Sequence, residues 1–216
     1  SIRHPSIIEL LQKVFFGKMM EDFCYCPGGR SIHHAYRGGL LKHTIEVASI
    51  AKNFSAIHEN LNHDILISGA LLHDIGKTRE YDLKSVSFKL TDKGQLYGHL
   101  VLGRDLLMQL TSSIKGFPVE LEDEIGHMML SHHGHKEWGS PEVPKTLEAF
   151  ALFHADLSSA RMDQAVNILK STKPTARWSS WDKLLERSFY NPERKYFSPE
   201  SEIASSLDED DQAPKP

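Results

Sequence analysis

The nine residues GALLHDIGK, from Gly69 to Lys77, close an apolar stretch that begins near residue 64 and has the periodicity of a helix. At its end, His73 and Asp74 stand side by side behind Ala-Leu-Leu. Burying an imidazole and a carboxylate together is costly unless a positive charge compensates. A divalent metal ion compensates well, because neutral imidazole and carboxylate are both metal ligands. A helix-end cap is the ordinary alternative, since adjacent His and Asp are common by chance.

The rest of the chain, outward from this stretch, is also mainly helical in its pattern. The apolar spacing predicts helices over 5–20, 39–54, 64–75, 95–112, 119–132 and 145–170, with Gly76 as the C-terminal glycine of the third. Residues 80–91 favour a short β-hairpin or lid, and residues 181–189 favour a further helix. The sequence therefore predicts an all-α bundle with one short hairpin after the His-Asp helix.

Length and composition indicate a soluble globular protein. The chain has 216 residues, of which 40% are hydrophobic and 25% charged. It contains neither an apolar run near the ~18 residues of a membrane span nor a signal-peptide pattern, so we expect no membrane attachment. Cys24 and Cys26 stand too close together for a zinc knuckle and cannot form a disulfide framework, so we expect a cytoplasmic protein.

Charge is distributed unevenly along the chain. The net charge is −4, but the segment 198–216 has six acids against Lys215 and contributes −5, which leaves +1 for the rest. We expect a domain over 1–195 followed by an acidic, disordered tail over 196–216. A body so close to neutral argues against a broad nucleic-acid surface, so a polyanion would bind in a local pocket.

Thirteen histidines are many for a chain of this size. His43 lies between Leu40 and Val47 on the apolar side of the second predicted helix, and Asp156 lies inside the last long one. Further candidates stand at predicted helix ends: His99, His132 and His133. Each of them alone is more often a core or surface residue than a ligand. Together with the His-Asp pair, the set predicts a metal centre built from distant parts of the chain.

This set of residues resembles the HD-domain phosphohydrolase superfamily, whose pattern is a His, a His-Asp pair and a distant Asp. His43, His73, Asp74 and Asp156 match that pattern, and His99, His132 and His133 match the added histidines of the binuclear members. Around residues 32–43, 128–134, 139–141 and 160–161, the chain is similar to the catalytic domain of the YhaM-type 3′-to-5′ exoribonucleases. The similarity covers roughly residues 5–169.

The resemblance implies an all-α HD-domain bundle and a hydrolytic site with two divalent metal ions. One ion would be held by His43, His73, Asp74 and Asp156, and the other by Asp74, His99, His132 and His133. Mn, Fe, Co, Ni and Zn all suit these ligands, with Mn or Fe favoured. Asp74 and Lys77 would be catalytic, and Lys77, Arg161 and Arg37 would bind the substrate. The expected substrate is single-stranded RNA or DNA, or a nucleotide.

The chain departs from the pattern of the YhaM-type enzymes at two points. YhaM-type enzymes usually carry an OB-fold nucleic-acid domain before the HD domain, and this chain begins at Ser1 without one. We therefore expect either a fragment or a different way of holding the substrate. Ser159 stands where close relatives are expected to have an acid that supports Arg161. The Gly-Tyr-Pro signature of the cyclic-dinucleotide branch does not follow His133, which counts against that branch.

Several functions stay open at this point. The leading hypothesis is an exonuclease or phosphodiesterase, and the alternatives are a nucleotidase on small nucleotides and a catalytically silent HD module that binds a ligand. A structural zinc protein is least favoured, because its ligands would cluster at short spacings. Four aromatic residues, Tyr81, Phe88, Tyr97 and Trp138, could stack on bases or simply pack under the hairpin. The oligomeric state is not predicted.

Overall fold

The structure is a computed structural model that describes residues 1–29, 36–85 and 88–191. Over these residues the chain is helical and contains no β-strand, which confirms the all-α prediction for this part. The helices are α1 (Pro5–Phe15), α2 (Lys18–Tyr25), α3 (Gly39–Ile57), α4 (His63–Leu72), α5 (Lys77–Glu80), α6 (Asp92–Thr111), α7 (Val119–Ser131) and α8 (Leu147–Ser171). A short 3-10 helix covers Lys136–Trp138. No helix in these ranges is both long and apolar enough to span a bilayer.

The chain divides into two compact units, Ser1–Gln164 and Ala165–Pro216. The division falls inside α8, and the second unit is described over residues 165–191. The predicted acidic tail lies outside the described residues, so the boundary near residue 195 stays a prediction. Residues 30–35, which include His33 and His34, also lie outside the described residues.

Helix α4 is fixed at its start by a side-chain cap. The Asn62 side chain accepts hydrogen bonds from the backbone N–H groups of Asp64 and Ile65, at 3.1 and 3.2 Å. The backbone N–H of Asn62 in turn donates to Glu148 on α8, at 2.7 Å. These bonds tie the beginning of α4 to α8, while the other end of the helix presents His73 as its C-cap residue.

Two apolar clusters form the core of the first unit. The first joins α1, α2, α6 and α7 through residues such as Leu10, Phe23, Leu106 and Ile125. The second cluster joins α3, α4, α7 and α8. Its buried members are Val47, Ala51, Leu66, Ala70, Met128, Ala149, Ala151, Leu152 and Ala155, and five of these nine are alanines. Alanines let these helices approach closely, which brings the predicted metal ligands of four helices to one place.

The helix predicted over 5–20 is two helices, α1 and α2. Phe16 leaves the helical conformation at the C-cap of α1, and Gly17 is extended, with φ −136° and ψ −170°. The apolar spacing continues across this break, so the pattern alone did not reveal it.

The hairpin predicted over 80–91 is not shown by the structure. Tyr81 and Leu90 form one isolated antiparallel bridge, and the Asp82 N–H donates to the Lys89 carbonyl at 2.8 Å. A single bridge is less than a strand, and residues 86–87 in the middle of the segment lie outside the described residues. Its role as a lid stays a prediction.

The helix predicted over 181–189 is wrong, because this segment is a turn. The Asp182 carboxylate accepts hydrogen bonds from the N–H groups of Leu184 and Leu185, at 3.0 and 2.7 Å. Asp182 and Arg187 form a bridge across the turn, and Glu186 has φ +52°. Asp side chains compete with helices by bonding nearby backbone N–H groups, which explains the failure of the apolar pattern here.

Gly76 follows the His-Asp pair and plays a different part from the one predicted. It is right-handed helical, with φ −59° and ψ −21°, so it is not a left-handed cap. A Cβ at this position would lie 2.0 Å from the His99 carbonyl oxygen and 2.5 Å from the Gly103 nitrogen. Both are backbone atoms, which cannot swing away. Gly76 is therefore required for the close approach of this turn to α6.

We predict that Gly76→Ala lowers the free energy of unfolding by at least about 2 kcal/mol, because an overpacked backbone contact forces α6 away. Gly17→Ala is the matched control, since a Cβ there meets only the Lys13 carbonyl at 3.7 Å. Urea unfolding followed by circular dichroism measures both variants. Equal stability of the two would contradict the role given to Gly76.

Candidate metal centre

Four residues from three helices and one turn converge in a first donor set. The Nε2 of His43 lies 2.9 Å from the Oδ1 of Asp156 and 3.3 Å from the Nε2 of His73. The Asp74 Oδ2 lies 3.4 Å from the His73 Nε2 and 3.7 Å from the His43 Nε2. His43, His73 and Asp74 are buried, and Asp156 is partly buried. The donor atoms of His43, His73 and Asp156 lie within 4.8 Å of one another, a spacing that could hold a metal ion.

Three histidines form a second donor set on the other side of Asp74. His99 on α6, with His132 and His133 after α7, place one ring nitrogen each within 4.8 Å of the others. The Asp74 Oδ1 lies 3.4 Å from the Nε2 of His99 and 3.5 Å from the Nε2 of His132. The two oxygens of Asp74 therefore face different donor sets.

Several buried atoms of the second set lack a hydrogen-bond partner within the described part of the chain. They are the Asp74 Oδ1, the His99 Nε2 and the His133 Nδ1. A buried polar atom without a partner costs roughly 1–3 kcal/mol, so two of them that lie 3.4 Å apart, the Asp74 Oδ1 and the His99 Nε2, need an explanation. Lone pairs of carboxylate and imidazole that face one point satisfy a divalent cation, so the residues present fit such an ion.

Backbone carbonyls orient two of the histidines. The Nδ1 of His73 donates to the Ala70 carbonyl at 2.8 Å, and the Nδ1 of His132 donates to the Met129 carbonyl at 2.9 Å. Both carbonyls belong to the last turn of a helix, three residues before the histidine. With its proton on Nδ1, each ring directs the lone pair of Nε2 into the centre.

Glu80 orients His99. Its Oε1 accepts hydrogen bonds from the His99 backbone N–H at 3.0 Å and from the His99 Nδ1 at 3.2 Å. The backbone N–H is free for this bond because Gly98 interrupts α6 with φ +69° and ψ +165°. A positive φ is readily adopted only by glycine, so Gly98 is what lets α6 restart at His99.

Ser159 connects His43 to a second acid. The Ser159 hydroxyl donates to the Glu46 Oε2 at 2.8 Å and lies 3.1 Å from the Nδ1 of His43. Since its one proton is directed to the carboxylate, the Ser159 oxygen accepts the Nδ1 proton of His43. Ser159, at a position expected to be acidic, therefore holds the His43 ring in place. The negative charge comes from Glu46, which is bonded to Ser159 and not to His43 directly.

Lys77 is buried beside Asp74. Its Nζ donates to the Asp74 Oδ2 at 2.6 Å and to the Gly28 carbonyl at 2.5 Å, and the residue is 7% exposed. Arg37 is exposed in the turn before α3, and Arg161 is half-buried on α8. The substrate-binding roles of Lys77, Arg37 and Arg161 stay predictions.

The four aromatic residues divide into two pairs. Tyr81 is buried in the first core cluster and Phe88 packs against it, so these two rings support the fold. Tyr97, two residues before His99, and Trp138 are exposed, and Trp138 lies 4.5 Å from the His135 ring.

The ionisation states agree with a cation site centred on Asp74. Burial would raise the pKa of Asp74, but the charges of Lys77 and His73 hold it well below its ordinary value. Burial also opposes ionisation of Asp156, yet its hydrogen bond to His43 lowers the pKa of this carboxyl. Both carboxylates are therefore charged and ready to bind a cation at neutral pH.

The buried histidines differ in their affinity for protons. Burial disfavours the charged form of His73, but the charge of Asp74 outweighs this effect and raises the pKa of His73. Burial and the neighbouring His132 and His99 lower the pKa of His133 to about 3. Burial likewise lowers the pKa of His132. His132 and His133 are therefore neutral at pH 7, whereas His73 gives up its proton less readily than a free imidazole does.

Sequence reasoning missed the two acids that support the ligands. Glu46 stands three residues after His43, and this spacing was the only signal for it in the sequence. Glu80 is nineteen residues from His99 and reaches it only because of the break at Gly98. The predicted ligands, in contrast, all lie in the two donor sets.

We predict that Ser159→Ala weakens metal binding by about 10- to 100-fold, because the Nδ1 of His43 loses its acceptor. Ser158→Ala is the matched control: Ser158 is exposed and its hydroxyl bonds only to the His154 carbonyl, at 2.6 Å. Calorimetric titration with Mn²⁺ measures the affinities, and circular dichroism checks that both variants fold. Unchanged affinity in Ser159→Ala would show that this link is not needed.

We predict that metal binding near pH 6.5 releases a proton from His73, because its pKa lies above that value in the folded protein. The folded-state pKa of His73 is raised above the ordinary value of 6.5. Its contribution to stability is therefore fully present below pH 6.5 and is lost as the pH rises through the folded pKa. For His133 the order is reversed: its folded pKa is lowered to about 3, so stability is lost as the pH falls from 6.5 towards 3.

Histidine NMR signals of the metal-free protein test this, with His73→Gln to assign the resonance. The His73 ring should titrate above pH 6.5, while the His133 ring stays neutral to about pH 3. Mn²⁺ binding, measured in buffers of different ionisation enthalpy, should release the proton. A His73 signal that titrates below pH 6.5 would contradict the prediction.

Comparison of the sequence with known proteins shows which family the chain belongs to. Residues 40–161 match the HD domain family. The chain is similar to the 3′-5′ exoribonuclease YhaM of Listeria monocytogenes serotype 4b (strain CLIP80459), with 33% identity over 187 residues, 86% of this chain and 58% of that protein. It is also similar to the 3′-5′ exoribonuclease YhaM of Bacillus subtilis (strain 168), with 30% identity over 193 residues, 88% of this chain and 60% of the relative. The chain thus spans about three-fifths of the length of these relatives. No solved structure matches it.

Proposed function

Because the chain belongs to the HD domain family, we propose that it is a metal-dependent phosphohydrolase that removes nucleotides from the 3′ end of single-stranded RNA. The activity and substrate follow the names of its relatives, the 3′-5′ exoribonucleases YhaM of Listeria and Bacillus. One observation carries the proposal: a single buried carboxylate, Asp74, stands between two sets of donor atoms.

We propose that the two sets hold two divalent ions. His43, His73, Asp74 and Asp156 would hold one, and Asp74, His99, His132 and His133 the other. Sites rich in imidazole with a few carboxylates suit Mn, Fe, Co, Ni or Zn, and we favour Mn or Fe. When bound, such ions polarise a phosphodiester and lower the pKa of water.

The chain's own residues prepare the site for this chemistry. Lys77 keeps Asp74 ionised and fixes the direction of its Oδ2. Two of the three N–H groups of the Lys77 ammonium are occupied, by Asp74 and the Gly28 carbonyl. The third can donate to a phosphoryl oxygen, where negative charge grows in the transition state. The carbonyls and acids behind the histidines hold the rings in place before any substrate arrives.

The state of the two cysteines bears on the cellular compartment of the protein. Cys24 and Cys26 are both free thiols, and Cys26 is buried. Burial raises the pKa of the Cys26 thiol, which keeps it protonated and unreactive. Free thiols fit a reducing compartment, and we propose the cytoplasm.

We predict that Asp74→Asn lowers the rate of RNA hydrolysis by about 10³-fold or more, because the loss of one charge weakens both donor sets. The substrate is a 12-nucleotide single-stranded RNA labelled at its 5′ end, with Mn²⁺ present. Wild-type protein should give a ladder that shortens from the 3′ end and should stop when EDTA removes the metal. Asp105→Asn, which changes an exposed acid of α6, should keep full activity.

The same assay separates the other functions. Hydrolysis of free nucleotides without shortening of RNA would replace the proposal by a nucleotidase. Metal binding without hydrolysis of either substrate would indicate a ligand-binding module. Metal content of the purified protein, measured by mass spectrometry, should approach two ions per chain in the wild type and fall in Asp74→Asn.

A further inference from the structure

The second unit carries a concentration of charge and aromatic rings that the metal centre does not use. Residues 165–191 contain five lysines and arginines against two acids, a net charge of +3. All five cations are exposed: Lys170, Lys173, Arg177, Lys183 and Arg187. Three large rings, Trp178, Trp181 and Tyr190, are 58%, 65% and 44% exposed. Single exposed rings are normal on a protein surface, but three of them together with five cations in 27 residues form a concentration that points to a binding surface.

Backbone hydrogen bonds hold these rings in a fixed arrangement. The Ser179 N–H donates to the Phe189 carbonyl at 2.9 Å, and the Asn191 N–H donates to the Arg177 carbonyl at 2.8 Å. Trp178 and Tyr190 form a bridge and their rings lie 5.2 Å apart. The rings are therefore presented by an ordered loop, which reduces the entropy lost when a ligand stacks on them.

A groove in this unit combines the rings with a cation and hydroxyl groups. It has a volume of about 400 Å³, and its walls include Trp178, Trp181, Lys173, Ser171, Thr172 and Ser180. We call it the tryptophan groove. The hydroxyls of Ser171 and Thr172 donate to the Ile168 carbonyl, so their oxygens keep lone pairs that can accept. A ligand that brings its own donors, as bases and ribose hydroxyls do, fits this lining.

One acid also lines the groove. The Asp182 Oδ1 accepts hydrogen bonds from the N–H groups of Leu184 and Leu185. These two bonds account for Asp182 as part of the turn. Residues 165–191 still carry a net charge of +3 when Asp182 is counted, which favours a polyanion over a basic peptide as the ligand of this part of the chain.

We propose that the tryptophan groove and the surrounding cations bind single-stranded RNA. Bases would stack on Trp181 and on the open face of Trp178, and Lys173 and Arg177 would contact phosphates. Aromatic rings combined with cations are the physical basis of single-strand binding without sequence preference, because every base has a flat face. This proposal rests on the proposed function and extends it, since it assigns the grip on the RNA to a unit outside the metal centre.

Binding of RNA without hydrolysis tests the groove by itself. The full chain in EDTA is titrated into a 5′-fluorescein-labelled, 12-nucleotide single-stranded RNA and followed by fluorescence anisotropy. Trp181→Ala should raise the Kd by at least about fivefold, and by up to about 150-fold, because a stacked base is lost. Phe16→Ala, which removes an 86% exposed ring of the first unit, should leave the Kd unchanged.

Salt dependence tests the electrostatic part. Lys173→Ala should reduce the slope of log Kd against log salt concentration by about 0.7, the value for one phosphate contact on a single strand. Lys115→Ala, an exposed lysine of the first unit, should leave the slope unchanged. Circular dichroism confirms that every variant is folded.

Hydrolysis distinguishes failure of this proposal from failure of the proposed function. If both hold, Trp181→Ala raises the KM for the 12-nucleotide RNA and leaves kcat and the turnover of bis(p-nitrophenyl) phosphate unchanged. If RNA is hydrolysed but its Kd is the same in Trp181→Ala and wild type, the groove does not bind RNA and another partner, such as a protein, occupies it. If RNA binds through the groove but no variant hydrolyses it, the groove assignment stands and the exoribonuclease proposal fails.

Discussion

The first unit depends on the burial of one carboxylate. Asp74 is 2% exposed, its Oδ2 is bonded to Lys77, and its Oδ1 faces histidine nitrogens with no hydrogen bond of its own among the described residues. A buried anion is tolerated only where positive charge surrounds it. The Lys77 ammonium supplies one positive charge. The raised pKa of His73 favours the protonated imidazole, which adds part of a second positive charge. The remaining oxygen is the atom that still needs a cation.

Helix ends place most of the groups around this carboxylate. His73 follows α4, His132 follows α7, and each ring uses a carbonyl that the last turn of its own helix leaves free. His99 starts the part of α6 that follows Gly98. Backbone groups that a helix cannot satisfy internally thus hold two of the candidate metal ligands, His73 and His132. The other supported histidines, His43 and His99, rely on the side chains of Ser159 and Glu80 instead.

The two adjacent pairs among the candidate ligands could be predicted from the sequence because their signal is local, whereas the groups that hold the candidate ligands in place could not. His73-Asp74 and His132-His133 each stand at the end of an apolar stretch, where the pattern reveals a buried polar pair. Glu80 and the Gly28 carbonyl reach His99 and Lys77 from residues far away in sequence. Contacts of this kind depend on how the helices pack against each other, and they produce no periodic pattern in the sequence.

The helix boundaries show the same limit. The helix containing His43 begins at the predicted residue and ends three residues beyond the predicted end, at Ile57. The break at Gly17 and the turn at Asp182 were missed, since in both places the apolar pattern continues while a backbone or side-chain feature ends the helix. Gly76 was read as a cap, but its lack of a side chain serves packing against α6.

The net charge of the whole chain does not describe how its charges are distributed along the sequence. A body of nearly zero charge suggests no nucleic-acid surface, yet 27 residues of it carry +3 with three exposed rings. Opposite charges elsewhere cancel in the sum, but they do not cancel at a surface, because screening in physiological salt limits their reach to about 8 Å. The relevant quantity is the charge within one such distance of the exposed rings. In the proposed arrangement, the cations of residues 165–191 contact the phosphates of the bound strand, while Lys77, beside Asp74, is left to the single phosphodiester at the candidate metal centre.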